Sequence, residues 1–181
     1  MGMPATTYYS AADLLGMPDD GNKYEVVHGE LLVSPSPRMR HQGIVQQLSL
    51  LLGNYLTQHQ VAAVYPGGDV HWGSDSLVIP DLLVVDLESV RRDDWSKINL
   101  PLLVVEVLSP SSTRQDRFTK RRLYQEMAIP RYWLVDGVSR VVEVWTPDAT
   151  FPMVEHERAT WHPEGSPEPL TIELAELFGE E

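Results

Sequence analysis

Leu102-Leu103-Val104-Val105-Glu106-Val107-Leu108 is apolar throughout except for one carboxylate near its centre. A run of this kind reads as a central strand covered on both faces, and Ser109-Pro110-Ser111-Ser112 ends it. Side chains alternate along a strand, so Leu102, Val104, Glu106 and Leu108 share one face while Leu103, Val105 and Val107 share the other. A second run, Leu77-Val78-Ile79-Pro80-Asp81-Leu82-Leu83-Val84-Val85, is interrupted by an acid in the same manner and reads as another central strand. Pro80 removes a ladder donor, which predicts a bend, bulge or edge at Asp81. Burying an unpaired carboxylate costs several kcal/mol, so each acid is expected to be paired, protonated or bound to a metal.

Working outward, Ser10 to Leu15 predicts a short capped helix, and Lys23–His28 and Glu30–Ser34 predict two strands in a tight hairpin around Gly29. Ile44, Val45, Leu48, Leu51, Leu52, Tyr55 and Leu56 recur at helical spacing and predict one long helix through about residue 58. Strands follow at Val61–Tyr65 and Asp69–Trp72, separated by Pro66-Gly67-Gly68. Beyond the Glu106 strand, the pattern predicts a helix over Arg114–Met127 and strands over Arg131–Val135 and Arg140–Trp145. A last strand near Leu170–Ile172 precedes an amphipathic piece, Leu174–Phe178. The fold class is α/β (α+β) with a mixed sheet, in a single domain over 1–181.

The chain has 181 residues, 43% of them hydrophobic, enough for a core without staples. It has no cysteine, which removes disulfides and thiolate chemistry and is compatible with a reducing, cytoplasmic setting. Met1-Gly2-Met3-Pro4-Ala5 has no signal-peptide character and no apolar stretch is long enough to span a bilayer, so no membrane partner is expected. The net charge of −12 opposes a general nucleic-acid coat. Basic residues are nevertheless concentrated at Arg114, Arg117, Lys120, Arg121 and Arg122, beside the single acid Asp116. That helix is either a phosphate-facing surface or a solvated face.

Two carboxylates are what a hard cation such as Mg²⁺ takes from a protein, with waters and substrate oxygens completing the octahedron. Asp81 and Glu106 fit that demand. Lys120, on a helical stripe with Leu123, Tyr124 and Met127, faces inward and is the candidate amine. On the residues alone, both acids are equally readable as buried ion-pair partners, and Asp116 with Lys120 as a helix-surface pair. His41 is read either as an auxiliary group that positions water or touches phosphate, or as a helix cap. The other five histidines have no zinc-ligand spacing.

Pro80-Asp81 followed by Glu106 in a hydrophobic strand resembles the PD-(D/E)XK nuclease superfamily. The longer pattern is more specific. It comprises Tyr24-Glu25-Val26-Val27-His28-Gly29-Glu30, Ser34-Pro35-Ser36-Pro37 with His41-Gln42, Pro80-Asp81-Leu82, Val104 to Ser111, Asp116 to Lys120 to Tyr124, and Ile129 to Asp136. Together these are similar to the Uma-type family of restriction-endonuclease-like proteins, over about residues 24–145. The resemblance implies a restriction-endonuclease-like core, with a mixed central sheet flanked by helices. It also implies Mg²⁺ (or Mn²⁺) held by Asp81 and Glu106, and hydrolysis of DNA phosphodiester bonds. Glu30 is the expected additional catalytic acid, with Glu25 as its alternative. The superfamily lysine two residues after the second acid is replaced here by Leu108, so Lys120 on the following helix is expected in that role. A homodimer is compatible with the resemblance. The alternative function is a catalytically inactive nuclease-like module binding nucleic acid or a protein partner.

Overall fold

His28 and Gly29 both take left-handed backbone, with φ of 48° and 79°, in a two-residue turn whose twist matches that of paired strands. The turn joins β1 (Lys23–Val27) to β2 (Glu30–Ser34), in a register that sets Glu25 opposite Leu32 and Val27 opposite Glu30. Only glycine fits the second turn position, because a Cβ there would come within 2.2 Å of the Tyr8 ring. The computed structural model describes residues 7–179; the Met1–Ala5 stretch read for a leader lies outside the described residues.

The predicted long helix is α1 (Met39–His59), which buries Ile44, Val45, Leu48, Leu52 and Leu56 along one side. It leads into β3 (Ala62–Pro66) and β4 (Val70–Trp72). The second apolar run is not one strand, as the sequence reading had it. It divides into β5 (Ser76–Val78) and β6 (Leu82–Asp86), which belong to different sheets, and Ile79-Pro80-Asp81 is the crossing between them. Pro80 has no N–H to give a ladder, so the chain leaves one sheet there and enters the next.

Asp86 caps α2 (Leu87–Arg92) through the Ser89 amide, and β7 (Leu103–Val107) carries Glu106. The helix expected over Arg114–Met127 is two segments. A π-helical stretch, Gln115–Lys120, passes into α3 (Arg121–Glu126). β8 (Tyr132–Asp136) and β9 (Val141–Trp145) follow as predicted. β10 (Met153–Glu155) and β11 (Arg158–Trp161) were not anticipated, and β12 (Leu170–Glu173) and α4 (Leu174–Phe178) close the described chain.

The principal sheet is six-stranded in the order β10-β9-β8-β7-β6-β3, and only β7 and β8 are parallel, joined by the crossover that contains α3. A four-stranded sheet has the order β2-β1-β5-β4, and β11 and β12 pair in a third of two strands. Alternation divides the core as expected. Leu103, Val105 and Val107 pack with the α1 residues, together with Leu82, Val84, Trp133 and Val135. Val104 faces the other way, with Leu83, Leu134, Leu123, Tyr124 and the hairpin residues Val27 and Leu32. Glu106 shares that second face and is the polar interruption in it.

Leu48 has no solvent-exposed surface on the α1 side of the sheet. Leu48→Ala is expected to cost about 3 kcal/mol of unfolding free energy, read from the shift of the urea midpoint at unchanged slope.

Candidate functional site

The antiparallel register of β6 on β7 pairs Leu82 with Val105, and one step further along places Asp81 across from Glu106. The Val107 amide donates to Asp81 Oδ2 at 2.8 Å, and His41 Nε2 lies 3.0 Å from the same oxygen. His41 comes from the first turns of α1, so three distant segments meet at one carboxylate. Asp81 Oδ1 makes no hydrogen bond among the described residues; its nearest cation is Lys23 Nζ at 3.8 Å.

Glu106 is held differently. Its Oε1 accepts from Lys120 Nζ at 2.9 Å and from the Tyr124 hydroxyl at 2.8 Å, leaving Oε2 without a hydrogen bond. Lys120 Nζ also lies 2.9 Å from Glu25 Oε2 and 3.6 Å from Asp116 Oδ1. Glu25 Oε1 accepts from the Ile79 amide at 2.7 Å, which ties the hairpin to the crossing before Asp81. Asp116 Oδ1 is buried without a hydrogen-bond partner, as is His41 Nδ1. Four carboxylates, those of Glu25, Asp81, Glu106 and Asp116, therefore surround two ammonium groups, Lys23 and Lys120.

Burial, reinforced by the charges of Asp116 and Asp81, pushes the Glu106 carboxyl up to about 8 against the pull of Lys120. Burial likewise raises Asp116. For Lys120, burial works against the charged form, but Glu106, Glu25 and Asp116 outweigh it and hold the ammonium well above its ordinary value. The lysine thus keeps its proton, and Glu106 and Asp116 are the groups that yield. Asp81 goes the opposite way. Burial would raise it, yet the His41 hydrogen bond, Lys23 and the Val107 amide keep its carboxyl below the usual range.

A cleft of about 260 Å³ opens on this cluster. Lys23 and Ser34 line it from the hairpin, His41 and Gln42 from α1, Pro80 and Asp81 from the crossing. Glu106, Ser109, Ser112 and Asp116 form the remaining wall. The seryl loop after β7 that ends the strand in the sequence thus becomes one edge of the opening. Among the described residues no group of three or more His, Asp or Glu is placed to hold a metal ion.

The predicted residues divide accordingly. Asp81, Glu106, Lys120 and His41 are brought together. Glu30 is not. It lies on the same face of the hairpin as Glu25 but opposite Val27 at the turn end, exposed, alongside Phe118, Arg122 and Glu126. Two residues of strand separate it from the level of Glu25, about 7 Å. Glu25, the alternative, is the acid of the hairpin that reaches the cluster. Three cations of the basic helix have partners within the protein, while Arg114 and Arg122 are exposed. Lys120 is in the acid cluster, Arg117 pairs with Glu143 and Asp136, and Arg121 lies 4.7 Å from the centre of the Trp145 ring. Lys23 was missed. Its signal was the strand period, since a residue two places before Glu25 shares its face.

The Uma2 family, described as "Putative restriction endonuclease", matches residues 11–175. The chain belongs to the Uma2 family. An uncharacterized protein from Synechocystis sp., slr1290, is 31% identical over 134 residues, covering 68% of this chain and 65% of its own length, less than two thirds of that relative. A crystal structure described as "a putative nuclease belonging to DUF820", from Anabaena variabilis, superposes with a TM-score of 0.76 at 22% identity, covering 94% of this chain and 97% of the other. That likeness shows a shared fold, a mixed sheet flanked by helices in both. The family description points to a restriction-endonuclease-like protein, and the structural likeness adds the shared fold. Among the described residues no helix is long and apolar enough to cross a membrane.

The raised Glu106 carboxyl has a linkage consequence. A carboxyl whose folded value lies above its unfolded 4.5 binds more protons in the native state, so its contribution to stability is lost as pH rises from about 4.5 through about 8. Wild type is expected to lose unfolding free energy over that window relative to Glu106→Gln, measured as urea midpoints at pH 5, 7 and 8.5. Parallel pH profiles for the two proteins would contradict the assignment.

Proposed function

We propose that the cleft is the centre of a Mg²⁺-dependent endonuclease that hydrolyses DNA phosphodiester bonds, with Mn²⁺ able to replace Mg²⁺. The observation that carries the reading is the surplus of carboxylates over ammonium groups at the wall of an open cleft. Excess buried negative charge is costly unless protons or a cation relieve it, and a divalent cation would displace the proton that burial keeps on Glu106. The donor set fits a hard divalent ion: Asp81 Oδ1 and Glu106 Oε2 are the carboxylate oxygens of the pair that carry no hydrogen bond, and both residues line the opening. When bound, the cation lowers the pKa of a coordinated water and neutralises charge at the scissile phosphate.

The protein's own groups supply orientation. His41 and the Val107 amide fix Asp81 by Oδ2 and so present Oδ1 to the cleft. Lys120 and Tyr124 do the same for Glu106, holding Oε1. Lys120 also keeps Glu25 and Asp116 from leaving the interior uncompensated. A second reading, a catalytically inactive nuclease-like module that binds nucleic acid or a protein partner, is favoured by the burial of Lys120, which is only 3% exposed.

Cleavage of supercoiled, linear and single-stranded DNA in Mg²⁺ or Mn²⁺ separates the two. The endonuclease reading expects scission by wild type and a loss of at least ~100-fold in Asp81→Asn and Glu106→Gln. DNA retained by wild type without scission in any form supports the second reading, and variants cleaving at the wild-type rate would contradict the site.

A further inference from the structure

The site contains two lysines, and they stand in unlike places. Lys120 is sealed, with its ammonium 2.9 Å from both Glu106 Oε1 and Glu25 Oε2, and it contributes nothing to the lining of the cleft. To reach a substrate it would have to abandon buried carboxylates, a costly separation. Lys23 is 30% exposed, and among the described residues it is the one Lys or Arg that lines the cleft.

The bonding of Lys23 is incomplete in a telling way. It donates to the Ile79 carbonyl at 3.0 Å, while Glu25 Oε2 and Asp81 Oδ1 are each 3.8 Å away, beyond hydrogen-bonding range. An ammonium has three donors, so two of these have no acceptor among the described residues. The group therefore hovers over the free oxygen of Asp81 as a loose counter-ion, with donors to spare at the mouth of an acidic cleft.

We propose that Lys23, rather than Lys120, is the ammonium that meets the substrate phosphate, and that it yields Asp81 to the incoming divalent cation. This rests on the reading of the cleft as a cation site. A cation on Asp81 repels a neighbouring ammonium. Lys23 sits at the start of β1 on a flexible four-carbon stem, and it can swing toward an anion without disturbing the hairpin ladder. Lys120 is then a positioning residue, and the departure from the superfamily's strand lysine is met by two lysines with separate tasks.

The test compares wild type, Lys23→Gln and Lys23→Arg, with circular dichroism as the check on folding. Calorimetric titration with Mn²⁺ is expected to show Lys23→Gln binding several-fold to about tenfold more tightly than wild type, because a competing positive charge has been removed. In Ca²⁺, in place of Mn²⁺, the anisotropy of a labelled DNA oligonucleotide is expected to show about tenfold weaker binding by Lys23→Gln, with Lys23→Arg restoring most of it. A merely structural role would not move the two affinities in opposite directions. If wild type binds Mn²⁺ and DNA and Lys23→Gln matches it within twofold in either titration, this assignment is overturned while the cation site stands. If wild type binds no Mn²⁺, both are overturned.

Discussion

A single buried ammonium organises the interior on the β7 face opposite α1. Lys120 lies among the carboxylates of Glu25, Glu106 and Asp116, and those acids come from the hairpin, the central strand and the helical crossover. Each of those groups would be costly to bury charged in isolation, and one ammonium cannot balance three carboxyls, so burial holds Glu106 and Asp116 toward the protonated form. The imbalance is what distinguishes this cluster from an ordinary buried ion pair. A protein under selection for stability alone would fill the same space with Leu or Val, as it has done on the α1 face of the same strand with Val105 and Val107.

The second constraint is the crossing at Ile79-Pro80-Asp81. Handing the chain from the small sheet to the large one leaves an irregular backbone beside the end of β7. The Ile79 amide is thereby free to hold Glu25, and Asp81 is free to accept the Val107 amide. The same three residues fix an acid on each side of the opening. This is how local loss of ladder hydrogen bonding is converted into site geometry: the donors and acceptors that leave the sheet are reused on the functional side chains.

Much of this was legible in the sequence, for identifiable reasons. The strand period put Glu106 on the same face of β7 as Val104, and the helical stripe of Lys120 with Leu123, Tyr124 and Met127 pointed the lysine inward, where it lies. The His28-Gly29 turn chemistry announced the hairpin. What escaped was set by tertiary context. Nothing in Leu77 to Val85 says that its two halves enter different sheets, because the apolar pattern continues through the break. The preference for Glu30 followed from its place after the turn, whereas the register shows that distance along the hairpin, not face, decides which acid reaches the cluster. A sequence likewise does not reveal that Glu143 and Trp145 on β9 lie against Arg117 and Arg121 of the basic helix.

The proposed site requires a divalent cation to relieve the carboxylate surplus at Asp81 and Glu106. Anomalous diffraction from crystals grown with Mn²⁺ tests that most directly. A peak in the cleft within coordination distance of both carboxylates in wild type, lost in Glu106→Gln, is the predicted result. Manganese confined to surface acids such as Asp93 and Asp94, with nothing between Asp81 and Glu106, would contradict it.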